Sequence, residues 1–104
     1  MYKITFFVPE THLNEVKEVL FLAGAGKIGL YDCCAWQVKG QGQFRALAGS
    51  QPFLGEVNHL EEVEEYRVEM VCDEAMIQEA VQALLTAHPY ETPAYDVVKV
   101  FTFK

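Results

Sequence analysis

The alternation of apolar and polar positions marks four segments of the chain as β-strands. In the first segment, Ile4, Phe6 and Val8 fall on one face, which is the two-residue period of a strand buried on one side. The last segment is rich in the β-branched and aromatic residues that strands favour. The four predicted strands cover residues 2–8, 31–38, 64–72 and 95–103.

A second pattern, with apolar residues three and four positions apart, predicts two amphipathic helices. The apolar stripe of the first helix comprises Leu13, Val16, Leu20 and Ala23. The stripe of the second comprises Met76, Ile77, Ala80, Val81, Leu84 and Leu85. Thr11 and Asp73 are the predicted N-caps. Gly24 ends the first helix, and Pro89 ends the second.

The order of these elements predicts the fold. Strand, helix, two strands, helix and strand form the split βαβ pattern of a ferredoxin-like α+β sandwich, βαββαβ, with two helices on one face of a four-stranded antiparallel sheet. Gly40-Gln41-Gly42 is a turn signal and residues 44–48 are a predicted return strand, so we expect an extra hairpin between strands 2 and 3. We predict one domain, residues 1–104, whose open sheet face meets another chain.

The charge balance limits the partners of this domain. The chain carries 8 basic and 15 acidic residues, a net charge of −7, which disfavours nucleic acid and anionic membrane surfaces. No apolar run approaches the roughly 18 residues of a membrane helix. The N-terminus resembles no secretory leader, and the three cysteines are an odd number. We therefore expect a cytoplasmic protein.

The segment Gly24-Ala25-Gly26-Lys27-Ile28-Gly29 matches the letters of a dinucleotide-binding motif. That motif needs a strand before it and a helix after it, and here the order is reversed. The segment is instead typical of a helix C-cap followed by a loop with positive φ angles. A second interpretation stays open, in which Lys27 and nearby backbone amides hold an anion.

Polar and aromatic residues are densest in the segment from His88 to Asp96. An imidazole, two phenols and two carboxylates in one loop are compatible with a metal ligand or a proton carrier at His88. The residues alone favour a simpler interpretation, a rigid helix-to-strand connection stiffened by Pro89 and Pro93, in which the polar groups satisfy the backbone.

The thiols raise the question of a metal site. Cys33, Cys34 and Cys72, together with His88, are the ligand types that zinc and Cu(I) accept. No C-x-x-C pair is present, and Cys72 occupies a core-facing strand position, where a cysteine acts as a small hydrophobic residue. The chain also lacks the Ser-His-Asp order and the phosphate loop of common enzymes. The residues therefore favour binding over catalysis.

At His88 the sequence begins to resemble a known family. Residues 87–96, AHPYETPAYD, resemble the AHPYEEPAYD signature of the YbgI/YqfO family of dinuclear-metal-centre proteins, in the domain inserted in the middle of its longer members. Residues 24–33 resemble that domain's GAGxIGxYxxC loop. Three further segments resemble its hairpin and its ExRxE strand: residues 42–44, 52–55 and 65–69.

This inserted domain is similar in fold to the CutA and PII proteins, which are trimeric ferredoxin-like domains. The resemblance implies a homo-oligomer, with a trimer favoured, that associates through its open sheet face and binds a ligand or metal between subunits. The family's two-metal site is built by flanking halves that this sequence lacks, so its suspected hydrolase chemistry is not implied here. CutA's association with copper and divalent-cation tolerance maps to Cys33 and His88.

The leading hypothesis is a non-enzymatic, oligomeric binding or regulatory module, a stand-alone version of the inserted domain. We expect its ligand site at loops 24–29 and 88–96, placed at one sheet edge because each loop connects a helix to a following strand. The predicted ligand-binding residues are Gly24, Gly26, Lys27, Gly29, His88, Tyr90, Glu91 and Tyr95. Two alternatives remain: a CutA-like protein that binds divalent metal or copper through Cys33 and His88, and a docking domain for a larger protein partner.

Overall fold

The computed structural model describes residues 1–103 and has the predicted ferredoxin-like architecture. Four antiparallel strands form one sheet in the order β2-β3-β1-β4, and two helices pack on one face. The strands are β1 (Tyr2–Val8), β2 (Trp36–Arg45), β3 (Leu60–Cys72) and β4 (Tyr95–Lys99). The helices are α1 (Leu13–Leu22), preceded by a 3₁₀ turn at Glu10–His12, and α2 (Ile77–Ala87).

The core lies between the helices and one sheet face, as the alternation predicts. On β1, Ile4, Phe6 and Val8 are completely buried, and the neighbouring β3 contributes Val68, Met70 and Cys72 to the same face. The burial of Cys72 agrees with its predicted role as a small core residue. The helices contribute Leu13, Val16, Leu20, Ala80 and Leu84. No helix within residues 1–103 is both long and apolar enough to cross a membrane.

The region between strands 2 and 3 differs from the sequence prediction. The turn expected at Gly40–Gly42 is wrong, because β2 runs through both glycines, which pair with Glu65 and Val63 of β3. The expected return strand is also wrong: β2 ends at Arg45 and a loop spans residues 46–59. Since β1 ends opposite Tyr66, the rest of β2 and β3, residues 40–45 and 60–65, extends beyond the sheet as a two-stranded ribbon.

Both predicted helix caps are wrong. The N-cap of α1 is His12, and the Thr11 hydroxyl bonds instead to the Nδ1 atom of that histidine, 2.9 Å away. The N-cap of α2 is Met76, whose N–H donates to the Asp73 carbonyl three residues earlier. In both cases a turn precedes the helix and moves the first helical residue past the predicted capping side chain.

Candidate functional site

The two loops that the sequence assigns to one ligand site lie at opposite ends of the sheet. The Gly26 N–H donates to the carbonyl of Val71, close to the C-terminal end of β3. The Phe7 N–H donates to the carbonyl of Ala94, close to the C-terminal end of β1. Because β1 and β3 are antiparallel, the helices that follow them also run in opposite directions. The expectation that the two loops share one edge is therefore wrong.

The first loop is a helix stop. The Ala25 N–H donates to the Leu20 carbonyl and the Gly24 N–H to the Phe21 carbonyl, which is the Schellman pattern with the positive-φ residue just after the helix. Gly24, at a φ of +107°, fills that position. Lys27 and Gly29 follow in the exposed part of this loop.

Gly26 holds this loop against the sheet. It is buried, its φ is +79°, and its N–H and carbonyl bond to Val71 and Cys34 at 2.7 and 2.8 Å. A Cβ atom here would lie 2.8 Å from the Phe21 ring and 3.0 Å from the Cys34 carbonyl. The position therefore requires glycine for both its backbone angle and its space.

Gly26→Ala is expected to lower the free energy of unfolding by about 2 kcal/mol, because the left-handed angle alone costs roughly 1–2 kcal/mol and the contacts add to it. Urea denaturation followed by circular dichroism measures the change. Gly40→Ala is the matched control, since Gly40 lacks a positive φ and has open space around it; it should change stability by less than about 0.5 kcal/mol. Equal losses in the two variants would contradict the role given to Gly26.

The pair of residues expected to bind metal is also separated. Cys33 is exposed, at a φ of +52°, in the segment that follows the first loop, whereas His88 lies at the opposite end of the sheet. Within residues 1–103, no group of three or more His, Cys, Asp or Glu side chains is arranged to hold a metal ion.

His88 bridges the second loop and the sheet. The side chain is only 6% exposed. Its Nε2 atom lies 2.6 Å from the carbonyl of Phe7, and its Nδ1 atom lies 3.1 Å from the N–H of Tyr90. A carbonyl only accepts and a backbone N–H only donates, so the imidazole is neutral with its proton on Nε2. Burial accordingly lowers the pKa of His88.

A cavity of about 420 Å³ lies beside the second loop. It is bounded by the ribbon, by loop 46–59 and by the 88–96 loop, and Phe7 at the end of β1 contributes to its lining. The aromatic lining residues are Phe7, Phe44, Phe53 and Tyr90, and the charged ones are Arg45, Glu65 and Glu91. A mostly apolar cleft of this size with a few polar groups is typical of a small-molecule site.

Tyr90 and Glu65 form the polar centre of this cavity. The Tyr90 hydroxyl donates to Oε2 of Glu65 across 3.3 Å. Burial, together with the adjacent Glu65 carboxylate, raises the pKa of Tyr90 to about 12, so the phenol remains a donor. Burial also raises the pKa of Glu65, and the hydrogen bond from Tyr90 opposes that shift. Gly42 leaves room for Glu65, since a Cβ atom at this glycine would collide with the carboxylate.

Contacts between the loops form one wall of the cavity. The Gln51 N–H donates to Oε1 of Glu91 at 3.1 Å. The ring of Phe53 packs against Tyr90 at 6.2 Å and edge-on against His12 at 5.4 Å, measured between ring centroids. Loop 46–59 is thereby folded back from the ribbon onto the second loop.

The structure brings together only part of the predicted ligand set. Tyr90 and Glu91 line the cavity, whereas His88 lies behind Tyr90 and supports it. Tyr95 begins β4 opposite Phe6 and is not a lining residue. The sequence patterns did not indicate Phe7, Phe44, Arg45, Phe53 and Glu65, which come from β1, β2, loop 46–59 and β3. A signal was available for Phe44 and Phe53, since both are aromatic residues in the segment that the sequence predicts to be a hairpin and a loop.

The chain is similar to one segment of several longer bacterial proteins. It is 44% identical over 97 residues to a protein named GTP cyclohydrolase 1 type 2 homolog of Halalkalibacterium halodurans, and 41% identical over 98 residues to the Bacillus subtilis protein of that name. These matches cover 93% and 94% of this chain but 26% of each relative. The chain thus spans about a quarter of the length of these relatives. No protein-family model matches it.

Solved structures match the chain in two ways, as one segment of a longer protein and as nearly the whole of a small one. A Bacillus cereus protein related to NIF3 matches with a TM-score of 0.79 and 41% identity, over 92% of this chain and 24% of that protein. CutA1 from Pyrococcus horikoshii matches with a TM-score of 0.72 and 16% identity, over 100% of this chain and 87% of that protein. The chain therefore has the fold of the CutA proteins and corresponds in sequence to a single segment of the longer NIF3-related proteins.

Proposed function

We propose that this chain is a non-enzymatic binding module whose ligand site is the cavity between the ribbon and the 88–96 loop. The observation that carries the proposal is the cavity itself, with four aromatic rings around the hydrogen-bonded Tyr90 and Glu65 pair. The two aliphatic hydroxyl groups in its lining belong to Ser50 and Thr92. Ser50 donates to the Leu47 carbonyl at 2.6 Å, and within residues 1–103 neither hydroxyl bonds to a histidine or carboxylate that could act as its base, which favours binding over acyl transfer.

The walls of the site are held in place before any ligand arrives. His88 ties the second loop to β1, and the bond from Gln51 to Glu91 ties the same loop to the segment that carries Phe53. A pre-organised cavity loses little conformational entropy on binding, which favours affinity for a small ligand. The loop 24–29, at the opposite end of the sheet, is outside this site.

Ala94→Trp tests the proposal, because Ala94 is an exposed cavity-lining residue whose sheet contact uses only its backbone. The indole is expected to fill the cavity and leave the fold intact. The wild-type protein and the variant are incubated with a small-molecule extract of bacterial cells, desalted, and analysed by native mass spectrometry. We expect the wild type to retain a ligand that the variant loses. Retention by both proteins, or by neither, would contradict the proposed site.

Self-association through the open sheet face is the second part of the proposal. On this face, Trp36 and Val38 of β2 are 57% and 44% exposed, and Val98 of β4 is 48% exposed. These residues occupy the two edges of the sheet, so the β2 edge of one copy can meet the β4 edge of the next and close a ring. We propose a homo-oligomer on this basis, and a trimer is the stoichiometry implied by the resemblance to CutA and PII proteins.

A further inference from the structure

The charges around the cavity indicate the chemistry of its occupant. Two carboxylates, Glu65 and Glu91, face one cation, Arg45, in a chain whose net charge is −7. Arg45 is exposed and forms no ion pair with another of residues 1–103. Glu65 is half-buried among the aromatic rings, so the negative charge lies deeper than the positive one. A complementary ligand places its cationic group in the interior of the cavity.

Glu65 has a free acceptor for such a group. Its Oε2 atom accepts from the Tyr90 hydroxyl, whereas its Oε1 atom accepts no hydrogen bond from the described part of the chain. Oε1 occupies the space beside Gly42 that a side chain would otherwise take, and Glu65 lines the cavity. A partly buried carboxylate with one unshared oxygen is stabilised by a cationic donor, and hydrogen bonds between charged groups are stronger than neutral ones.

The aromatic lining favours the same kind of ligand. Phe7, Phe44, Phe53 and Tyr90 all border the cavity, and the Phe53 and Tyr90 rings lie 6.2 Å apart and tilted by 44°. Ring faces attract organic cations, and their apolar surfaces bury a hydrocarbon body. A simple metal ion would leave this aromatic surface uncovered, whereas an inorganic anion would face two carboxylates.

We infer that the cavity binds an amphipathic organic ammonium ion, with the ammonium group on Glu65 and an apolar or aromatic body among the four rings. This inference rests on the proposed function. The amine donates to the free carboxylate oxygen. The 420 Å³ of the cavity is within the range of small-molecule sites, and it leaves room for a body larger than the ammonium group alone.

Three probes with one shared body test this inference: phenethylammonium, the neutral phenethyl alcohol and the anionic 3-phenylpropionate. Each is titrated to about 10 mM into ¹⁵N-labelled protein, a range that detects millimolar affinity, and the amide signals of Phe44, Phe53 and Tyr90 are followed by NMR. Phenethylammonium is expected to bind at least about tenfold more tightly than either analogue, because only it forms a charge-assisted bond.

Glu65→Gln keeps an acceptor for Tyr90 and removes the charge. It should therefore weaken the binding of phenethylammonium at least about tenfold and leave the affinity for the alcohol unchanged. Glu64→Gln is the matched control, since Glu64 lies on the other face of the ribbon and pairs with Lys39. Equal binding of all three probes to the wild type, or preference for the anion, would overturn the inference and leave the proposed site standing. Absence of any shift at the three amides would overturn both, and the wild-type titrations decide this even if the variant is unstable.

Discussion

Replacing His88 by alanine is expected to destabilise the protein rather than only to remove a ligand contact. The substitution removes the imidazole, and its two partners, the Phe7 carbonyl and the Tyr90 N–H, lose their hydrogen bonds to it. A buried polar group left without a partner costs about 1–3 kcal/mol, so we expect a total loss of about 2–4 kcal/mol. That is a large fraction of the roughly 5–15 kcal/mol by which a small domain is stable. Urea denaturation of the two proteins measures the difference.

The matched control is His59→Ala. The His59 side chain is 66% exposed, and within residues 1–103 its one contact with a carboxylate is to Glu56 at 3.9 Å, so its loss should change stability by less than about 0.5 kcal/mol. If His88→Ala retains wild-type stability and fails to retain a ligand in the mass-spectrometry assay, His88 is a ligand contact as the sequence suggests, and its structural role is contradicted.

The stabilising effect of His88 should depend on pH. Burial lowers its pKa below the ordinary value of 6.5, so the unfolded chain takes up a proton at higher pH than the folded chain. The contribution of the neutral imidazole is therefore complete above about pH 6.5 and is lost as the pH falls towards the folded-state pKa. The difference in unfolding free energy between the wild type and His88→Ala should narrow between about pH 7 and pH 5, by at most about 1.4 kcal/mol per pH unit.

The difference in unfolding free energy between the wild type and His88→Ala excludes the contributions of titrating groups that both proteins share. Glu65 has a raised pKa, so its effect has the opposite sign: it stabilises the fold at low pH, and that stabilisation is lost as the pH rises through the folded-state pKa. This contribution is present in both proteins and cancels to the extent that the variant keeps the loop in place. A difference that stays constant across this pH range would show that His88 is not held neutral by the fold.

The sequence predicts the core better than the site, and the reason is the range of the interactions. Alternation places Ile4, Phe6 and Val8 correctly because a strand with one buried face repeats every two residues. The path of β2 does not follow from local pattern, since Gly40 and Gly42 read as a turn unless the length of β3 is known. A 13-residue partner strand supplies hydrogen bonds across that segment, and this pairing overrides the local turn preference.

The site depends on contacts that no local pattern contains. Phe53 meets Tyr90 from a loop 37 positions earlier in the chain, and Glu65 meets Tyr90 from the ribbon. The placement of the two glycine- and proline-containing loops, in contrast, follows from topology. Neighbouring antiparallel strands β1 and β3 are followed by antiparallel helices, so loops 24–29 and 88–96 must lie at opposite ends of the sheet.

Trp36→Glu is expected to abolish self-association while preserving the fold. Trp36 lies on the open face of the edge strand β2, opposite Glu69 of β3, and it is the most exposed large apolar residue on this face of the sheet. Buried tryptophans are frequent interface hot spots, worth 2 kcal/mol or more on truncation. A carboxylate also adds the cost of burying a charge beside Glu69. We therefore expect association to weaken by at least about 30-fold per contact.

Sedimentation velocity over a range of protein concentrations measures this effect, with circular dichroism to verify the fold. Leu22→Glu is the matched control: Leu22 is 81% exposed, but it lies on α1, on the helical side of the sheet, so its replacement should leave the oligomer intact. If both variants associate like the wild type, the open face is not the interface. A monomeric wild type would contradict self-association itself, and the exposed apolar edges of the sheet would then favour the docking-domain alternative, in which a different protein covers Trp36 and Val38.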